Sequence, residues 1–217
     1  MEALENTNCL DVLMRGASRL QHVLQTHGEM RIATLGPEGT SSAEAGRALT
    51  TCSPGGGHCE LFPTYEEAAE AVLGGRADYL LVANAYAHIN HFYISDRLIV
   101  VGAFPFATPP YGVAVDPTRV RLASTSNLAS HPAPLHLAEE WFRHSEHKPR
   151  FVTMSSTSEA ALAVARGEVS ACITTEVARK RTGLAFITRT KRIRMLWSVF
   201  TRRNHDAASC LFGEDDE

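Results

Sequence analysis

The chain has 217 residues, of which 44% are hydrophobic, and its formal net charge is -3. That length can bury the core of one large or two small domains, and the near-balanced charge gives no electrostatic footprint for nucleic acid. No apolar run is long enough to span a membrane and the first residues lack the pattern of a signal peptide, so we expect a soluble cytoplasmic protein. The cysteines are scattered and odd in number, which favours reduced thiols: Cys9, Cys52, Cys59, Cys172 and Cys210.

The first part of the chain alternates predicted strands and helices. Residues 3–27 have apolar side chains at near-helical spacing and predict an amphipathic helix, which could pack on the body of the protein or on a partner subunit in a homodimer. Strands are predicted at 32–35, 60–62, 79–82 and 97–106, and helices at 43–49 and 64–73. Thr64 and Glu67 predict a capping box for the second of these helices. The continuous apolar run 79–82 is typical of a strand buried on both faces.

The pattern restarts near residue 111. Strands are predicted at 111–115, 122–124, 150–154, 171–174 and 184–187, and helices at 133–144, 156–166 and 176–181. This alternation predicts right-handed βαβ units with parallel sheets, and therefore an α/β fold of two subdomains. A final strand at 195–200 is expected to return to the first subdomain. Ligands of such sheets bind beyond the carboxyl ends of the strands, here in a central cleft between the subdomains.

These elements give a predicted domain organisation. The predicted limits are an N-terminal helix over 1–29, a first subdomain over 30–107 plus 193–203, a second over 108–192, and an acidic, disordered tail over 204–217. Two crossover segments, near 107–110 and 188–194, would connect the subdomains.

The sequence TLGPEGTSS at residues 34–42 connects the first predicted strand to a helix. Its glycines allow a tight turn, and its hydroxyl residues lie where a helix cap is favoured. Free N–H groups at such a helix start can bind a carboxylate or phosphate, whereas the alternative is an ordinary capped turn. The candidate binding residues are Glu38, Gly39, Thr40, Ser41 and Ser42.

Two further stretches follow predicted strands and begin helices. Ser156, Thr157 and Ser158 could bind an anion in the same way, or could simply cap their helix. Ser130 and His131 precede another helix, and His131 could equally be a structural histidine. The basic residues of the second crossover, which could be only a solvated charge run, are Lys191, Arg192 and Arg194.

The segment NAYAHINHFY, at residues 84–93, has the composition that is least typical of a purely structural stretch. It directly follows a buried strand and contains Asn84, Tyr86, His88, Asn90, His91 and Tyr93. Histidine is the side chain best suited to proton transfer near neutral pH. The spacing of His88 and His91 could also suit a metal on a helix, but no third ligand is marked, so we expect no metal site.

These stretches together resemble the prephenate dehydratase catalytic domain over about residues 31–202. TLGPEGTSS resembles that family's GPxGTFS signature with Ser41 in place of the aromatic residue, ASHPAPL at 129–135 resembles its SHPQAL element, and residues 155–184 resemble its helix-strand-helix stretch. The resemblance implies a fold of two α/β subdomains, of the periplasmic-binding-protein-like type, around a prephenate cleft.

The departures from the dehydratase pattern point to a different reaction. Where dehydratases have an ENS motif this chain has Asn84 to Ala87, and where they have a Thr-Arg-Phe triplet it has Leu196, Trp197 and Ser198. Leucine cannot donate a proton, and tryptophan lacks the charge and fork of arginine. The motifs AYxxIxHFY, TPPYGVAV, SHPAPL and MLWSVF instead resemble the non-aromatising prephenate decarboxylases of the bacilysin-pathway type.

That resemblance implies decarboxylation of prephenate without loss of the ring hydroxyl, giving dihydro-4-hydroxyphenylpyruvate for secondary metabolism or antibiotic biosynthesis, with no cofactor. His91, or else His88, would protonate the ring, with Tyr86 as a further catalytic candidate. A helix N-terminus and Tyr111 would hold the pyruvyl carboxylate, and Leu196 and Trp197 would face the ring carboxylate. The alternatives are a prephenate dehydratase that forms phenylpyruvate and a non-catalytic protein that binds a small anion.

Overall fold

The computed structural model describes residues 20–22, 25, 28–119, 127–143 and 149–205. The predicted helix over 3–27 lies outside this range except for residues 20–22 and 25, which are helical. The predicted strand at 122–124 and almost all of the predicted tail also lie outside the described residues.

The described residues form alternating strands and helices. The strands are β1 (Met30–Leu35), β2 (Gly57–Phe62), β3 (Tyr79–Ala83), β4 (Leu98–Ala107), β5 (Tyr111–Val115), β6 (Asn127–Ser130), β7 (Arg150–Thr153), β8 (Ala171–Thr175), β9 (Ala185–Phe186) and β10 (Arg194–Arg202). The helices are α1 (Ser41–Cys52), α2 (Tyr65–Leu73), α3 (Asn90–Tyr93), α4 (Leu135–Phe142), α5 (Thr157–Ala165) and α6 (Glu176–Thr182).

The first sheet has the strand order β2-β1-β3-β10-β4. Its central strand β3 is buried along its whole length, as the apolar run predicted. β1 runs parallel to β3, whereas β10 runs antiparallel to it and places Trp197 opposite Ala83. Helix α2 begins with Thr64 as its cap, whose hydroxyl accepts from the Glu67 N–H at 3.1 Å, so the predicted cap is confirmed.

The second sheet has the strand order β7-β6-β8-β5-β9 and sorts its side chains by size. The two faces alternate along each strand, as the two-residue period of a strand requires. Large side chains on one face pack with α4, and they include Val113, Leu128 and Ile173. Small side chains on the other face pack with α5, and they include Ala114, Ala129 and Cys172. Small residues allow the helix backbone to approach the sheet closely.

The structure corrects three expectations about the strands. The sheets are mixed rather than parallel, because β5 pairs antiparallel with β8 and β10 with β3. Each of these strands follows a connecting segment instead of a crossover helix, so no βαβ unit sets its direction. Strand β6 was not predicted, and β2 begins at Gly57 rather than at residue 60.

The described residues divide into two compact units. One unit comprises those within Met1–Thr34, Gly46–Pro105 and Leu196–Glu217, and the other those within Leu35–Ala45 and Phe106–Met195. Most of the TLGPEGTSS turn therefore groups with the second unit, although it follows a strand of the first sheet. None of the helices that the described residues form is long and apolar enough to cross a bilayer. The cysteines within those residues, Cys52, Cys59 and Cys172, form no disulfide.

Candidate active site

The turn after β1 is held by hydrogen bonds within the second unit. Gly39 has a φ of +88°, a conformation that L side chains rarely adopt. The Thr175 hydroxyl donates to the Gly39 carbonyl at 2.8 Å, and the Ser158 hydroxyl donates to the Glu38 carbonyl at 3.2 Å. A Cβ atom on Gly39 would lie 3.3 Å from the backbone nitrogen of Ala178. The turn is therefore fixed against the first residues of α5 and α6.

Helix α1 begins with hydroxyl groups that already have partners. Thr40 Oγ1 accepts from the Ala43 N–H at 3.2 Å and donates to the Leu35 carbonyl at 3.2 Å, so Thr40 caps the helix. Ser41 Oγ lies 2.6 Å from the hydroxyl of Tyr111. Tyr111 is buried, and this burial raises the pKa of its phenol. The pair therefore stays neutral near pH 7 and offers hydrogen bonds, not charge.

The start of α5 combines a cap with buried hydroxyls. Ser156 Oγ accepts from the Glu159 N–H at 3.0 Å, so the capping alternative holds for this serine. The Thr157 carbonyl accepts from Thr174 Oγ1 at 2.8 Å. The hydroxyl residues at the starts of both helices are buried: Thr40, Ser41, Ser42, Ser156, Thr157 and Ser158. The remaining first-turn N–H groups of a helix have no acceptor inside the helix and can bind an anion.

Ser130 and His131 lie at the end of β6, also in the second unit. The Ser130 hydroxyl donates to the carbonyl of His131 at 2.8 Å. His131 Nδ1 accepts from the Ala133 N–H at 3.2 Å, and partial burial lowers the pKa of the imidazole. Both observations favour a neutral ring in a structural turn. The structural alternative for His131 therefore has direct support.

A closed set of hydrogen bonds joins Asn84, Tyr93 and Ser198 in the first unit. Asn84 Nδ2 donates to the Tyr93 hydroxyl at 3.2 Å, and the Ser198 hydroxyl donates to Asn84 Oδ1 at 2.9 Å. The hydroxyls of Tyr93 and Ser198 lie 2.6 Å apart and close the ring. Asn84 also donates its backbone N–H to the Leu196 carbonyl at 3.0 Å. The segment after β3 is thereby joined to β10.

The two histidines of this segment lie in a different place from Tyr93. His88 and His91 are exposed, and their rings stack with centroids 5.5 Å apart. His91 lines a groove of about 650 Å³ beside α2, together with Glu66, Glu67 and Glu70. Helix residues two apart point to nearly opposite sides, so Tyr93 projects away from His91. Three carboxylates would repel an anion, so this groove suits the uncharged ring of prephenate but neither of its carboxylates.

Tyr86 lies between the histidines and α2. Its hydroxyl donates to Glu66 Oε1 at 2.7 Å, and its ring meets the ring of His88 edge-on at 5.6 Å. Burial and the neighbouring Glu66 raise the pKa of Tyr86 to about 12. The phenol therefore keeps its proton at neutral pH.

Leu196 and Trp197 have opposite environments on β10. Leu196 is 47% exposed, whereas Trp197 has no exposed surface at all. Neighbouring residues of a strand point to opposite faces, so Leu196 shares its face with Ser198. A substrate could contact the Trp197 indole only if the surrounding packing opened. Of the two residues expected to face the ring carboxylate, Leu196 is therefore better placed to contact it.

The remaining charged candidates lie at the surface of the protein. Lys191 Nζ donates to Glu140 Oε2 at 2.7 Å, and both side chains are about half exposed, while Arg192 and Arg194 are exposed. This supports the interpretation of a solvated charge run. Among the residues that the structure describes, no group of three or more His, Cys, Asp and Glu side chains is arranged to hold a metal ion.

The structure adds residues that the sequence analysis did not select. Tyr93 was part of the polar segment but was not chosen as a site residue, and its bond to Ser198 spans 105 positions of the chain. Thr174 and Thr175 end β8 and bind the backbone of Thr157 and Gly39. Two adjacent hydroxyl residues directly after an apolar stretch of sequence could have indicated these two threonines.

No protein-family model matches the chain, but curated relatives do. It is 36% identical over 182 residues to a protein of Bacillus subtilis strain 168 named prephenate decarboxylase, a match that covers 81% of this chain and 88% of the relative. It is 33% identical over 177 residues to a prephenate decarboxylase of Planktothrix agardhii, covering 79% and 88%. A prephenate dehydratase of Amycolatopsis methanolica is 31% identical over 155 residues, which are 68% of this chain and 49% of that protein.

Solved structures agree on the fold. Prephenate dehydratase from Arthrobacter aurescens superposes with a TM-score of 0.62 at 16% identity over 79% of this chain, which spans 60% of that protein. The periplasmic VFT2 domain of Bordetella pertussis BvgS gives 0.54 at 15% identity, with 89% of both chains covered. These likenesses show the predicted α/β fold of dehydratase and periplasmic-binding-protein-like type. The sequence matches establish that the chain belongs to the prephenate decarboxylase family.

Proposed function

We propose that the protein is a prephenate decarboxylase, a carboxy-lyase that removes CO2 from prephenate and keeps the ring hydroxyl. The observation that carries this conclusion is the identity of 33–36% to four curated prephenate decarboxylases, over 85–88% of their lengths. The dehydratase relative is matched over only 49% of its length, which favours the decarboxylase over the dehydratase alternative.

The chemistry sets two requirements for such an enzyme. Loss of CO2 breaks a carbon–carbon bond and leaves its electron pair on a ring carbon between two double bonds, over which the pair is delocalised. That pair can expel the ring hydroxyl, which takes up a proton and leaves as water, so that aromatic phenylpyruvate forms. Alternatively, a ring carbon takes up a proton and dihydro-4-hydroxyphenylpyruvate forms. The enzyme must therefore deliver a proton to carbon and withhold one from the hydroxyl oxygen. The diene delocalises the electrons itself, so the reaction needs no cofactor.

The second unit supplies the proposed carboxylate-binding groups. The first turns of α1 and α5 present N–H groups, and each favourable helix start stabilises an anion by roughly 0.3–1 kcal/mol. The turn at Gly39 is held in place by Thr175 and Ser158, so these donors are already ordered before the substrate binds. Tyr111, bonded to Ser41, is a neutral hydrogen-bonding group beside α1. The pyruvyl carboxylate is the group we assign to these donors.

His91 is the proposed proton donor to the ring, with His88 as the alternative. Imidazole exchanges protons near neutral pH, and both rings are exposed, so water can restore the proton after each turnover. Leu196 is proposed to face the ring carboxylate. An exposed apolar side chain there disfavours the charged carboxylate relative to neutral CO2.

The test of this function is the identity of the product. Purified protein would be incubated with prephenate, and the products followed by NMR and by ultraviolet absorption. The expected result is CO2 release with a non-aromatic keto acid that retains the hydroxyl. Phenylpyruvate as the main product would establish the dehydratase alternative. Saturable binding of prephenate without turnover would establish the non-catalytic alternative.

Membership of this family also supports a proposal for the biological setting. The product would enter the biosynthesis of a non-proteinogenic amino acid or antibiotic in the cytoplasm, and the enzyme would act on a small molecule without binding nucleic acid or membrane. A homodimer is proposed as its assembly, and light scattering on the eluting protein would measure the mass directly.

A further inference from the structure

In the hydrogen-bonded ring of Asn84, Tyr93 and Ser198, the donor of each hydrogen bond can be assigned. A hydroxyl carries one proton, and the carbonyl oxygen of an asparagine side chain can only accept. Because Ser198 donates to Asn84 Oδ1 and Asn84 Nδ2 donates to Tyr93, the bond of 2.6 Å between the two hydroxyls must take its proton from Tyr93. The phenolic proton is therefore committed to Ser198.

This result does not depend on the orientation of the Asn84 amide. If the amide is turned over, Asn84 donates to Ser198, Ser198 donates to Tyr93, and Tyr93 donates to Asn84. The direction of the ring reverses, but the phenolic proton is again used inside it. In both cases the Tyr93 oxygen can accept a hydrogen bond from outside, while its proton is not available to a ligand.

The position of the ring makes this property accessible to a substrate. Tyr93 is 43% exposed, and Ser198 beneath it is almost fully buried. The Tyr93 ring packs edge-on against Phe200 at 5.0 Å, which limits its orientation. Leu196, two residues before Ser198 on the same face of β10, is exposed and aprotic. A ligand at this edge meets an acceptor and an apolar side chain, but no acidic hydroxyl proton.

We propose that Tyr93 accepts a hydrogen bond from the ring hydroxyl of prephenate and that Asn84 and Ser198 position it so that it cannot act as an acid. This inference rests on the proposed decarboxylase function but not on His91. Tyr93 projects away from that histidine, so a substrate ring bound at Tyr93 would receive its carbon proton from water or from another group. A hydroxyl that donates its proton to Tyr93 is a poorer leaving group, so the electron pair left by CO2 is protonated at carbon instead of expelling hydroxide. The hydrogen-bonded ring of Asn84, Tyr93 and Ser198 thereby determines which of the two products forms.

The test compares three variants in the prephenate assay. With Asn84 Nδ2 donating to Tyr93, Ser198→Ala removes the acceptor of the Tyr93 proton and releases it. The ratio of phenylpyruvate to non-aromatic product should then rise roughly tenfold or more, as for a newly available general acid. Tyr93→Phe removes the acceptor without creating an acid, so KM should rise about fivefold, the effect of one hydrogen bond, and the ratio should rise less than in Ser198→Ala. The double variant should return to the ratio of Tyr93→Phe.

The double variant separates this role from a structural one. If Ser198→Ala only disturbed the packing of the site, the phenylpyruvate ratio would be equally high with and without Tyr93→Phe. Ser95→Ala, which removes a hydroxyl that accepts from the Arg97 N–H outside the ring, is the matched control and should leave the ratio unchanged. If Ser198→Ala does not fold, Asn84→Ala at a partly exposed position is the second variant. The buried Ser198 hydroxyl then keeps Tyr93 as its partner within the ring and donates to it, which frees the proton of the more exposed Tyr93 and should give the same rise.

The outcomes distinguish the two levels of the proposal. Wild-type protein that releases no CO2 from prephenate overturns the proposed function. Wild-type protein that decarboxylates, combined with ring-breaking variants whose phenylpyruvate ratio stays at the wild-type value, overturns the role of the ring alone. A ratio in the double variant that stays at the value of Ser198→Ala also overturns it, because the acid would then be a group other than Tyr93.

Discussion

His91 and His88 stack face to face on an exposed surface, so their proposed roles can be separated by single substitutions. We expect His91→Ala to lower kcat by roughly 100-fold or more, the contribution of a general acid, with KM little changed. His88→Ala should have a much smaller effect. His58→Ala, at an exposed position of β2, is the matched control. Steady-state kinetics with prephenate would measure all three, and a wild-type kcat in His91→Ala would remove this residue from the mechanism.

Leu196 and Trp197 replace two polar residues of the dehydratase pattern, but only Leu196 can be exchanged without damage to the core. Leu196→Thr places a hydroxyl at a site that is 47% exposed, and we expect it to raise the fraction of phenylpyruvate. Trp197→Arg would bury a guanidinium in a site with no exposed surface, so it should unfold the protein or destabilise it by several kcal/mol. Product analysis and chemical denaturation would check the two parts separately, and an aromatic fraction unchanged by Leu196→Thr would count against the role of this position.

At the scale of helices, two caps of the same geometry provide a comparison. Ser156 caps α5 and Thr64 caps α2, with hydrogen bonds of 3.0 and 3.1 Å to the N–H three residues on. Ser156→Ala and Thr64→Ala should each destabilise the protein by about 1 kcal/mol. Only Ser156→Ala should also raise KM for prephenate, because only α5 is assigned to the carboxylate. Equal KM values in the two variants would contradict that assignment.

The elements that the sequence predicted well carry strong local signals. The buried β3 follows from an unbroken apolar run, and α2 from Thr64 and Glu67 at its start. Strand β6, with the sequence NLAS, was missed because it is short and contains no β-branched or aromatic residue. The antiparallel direction of β5 and β10 was also missed, since strand direction depends on the path of the connecting segments and not on composition.

At the scale of the whole molecule, long-range pairing decides what the site contains. The sequence indicated the polar segment 84–93 and the start of each helix as candidate sites, because their composition is a local signal. It could not indicate that Tyr93 meets Ser198, or that Thr175 holds Gly39 across 136 positions. Both pairs lie far apart in the sequence, so local composition carries no signal for them. The predicted limits of the subdomains stay predictions.

The stability of the folded molecule should depend on pH through His131. Burial lowers the pKa of this imidazole from its usual 6.5, so the unfolded chain binds the proton more readily than the folded protein. The contribution of His131 to stability is therefore fully present above about pH 6.5 and is lost as the pH falls through the lower pKa of the folded protein.

In His131→Asn the side-chain oxygen can still accept a hydrogen bond from the Ala133 N–H, but the side chain has no titratable group. We expect the free energy of unfolding, measured in urea, to fall less between about pH 7 and pH 5 in this variant than in the wild type. His136→Asn, which changes an exposed histidine nearby, should keep the wild-type slope. Identical slopes in all three proteins would show that His131 does not contribute to the acid sensitivity of the fold.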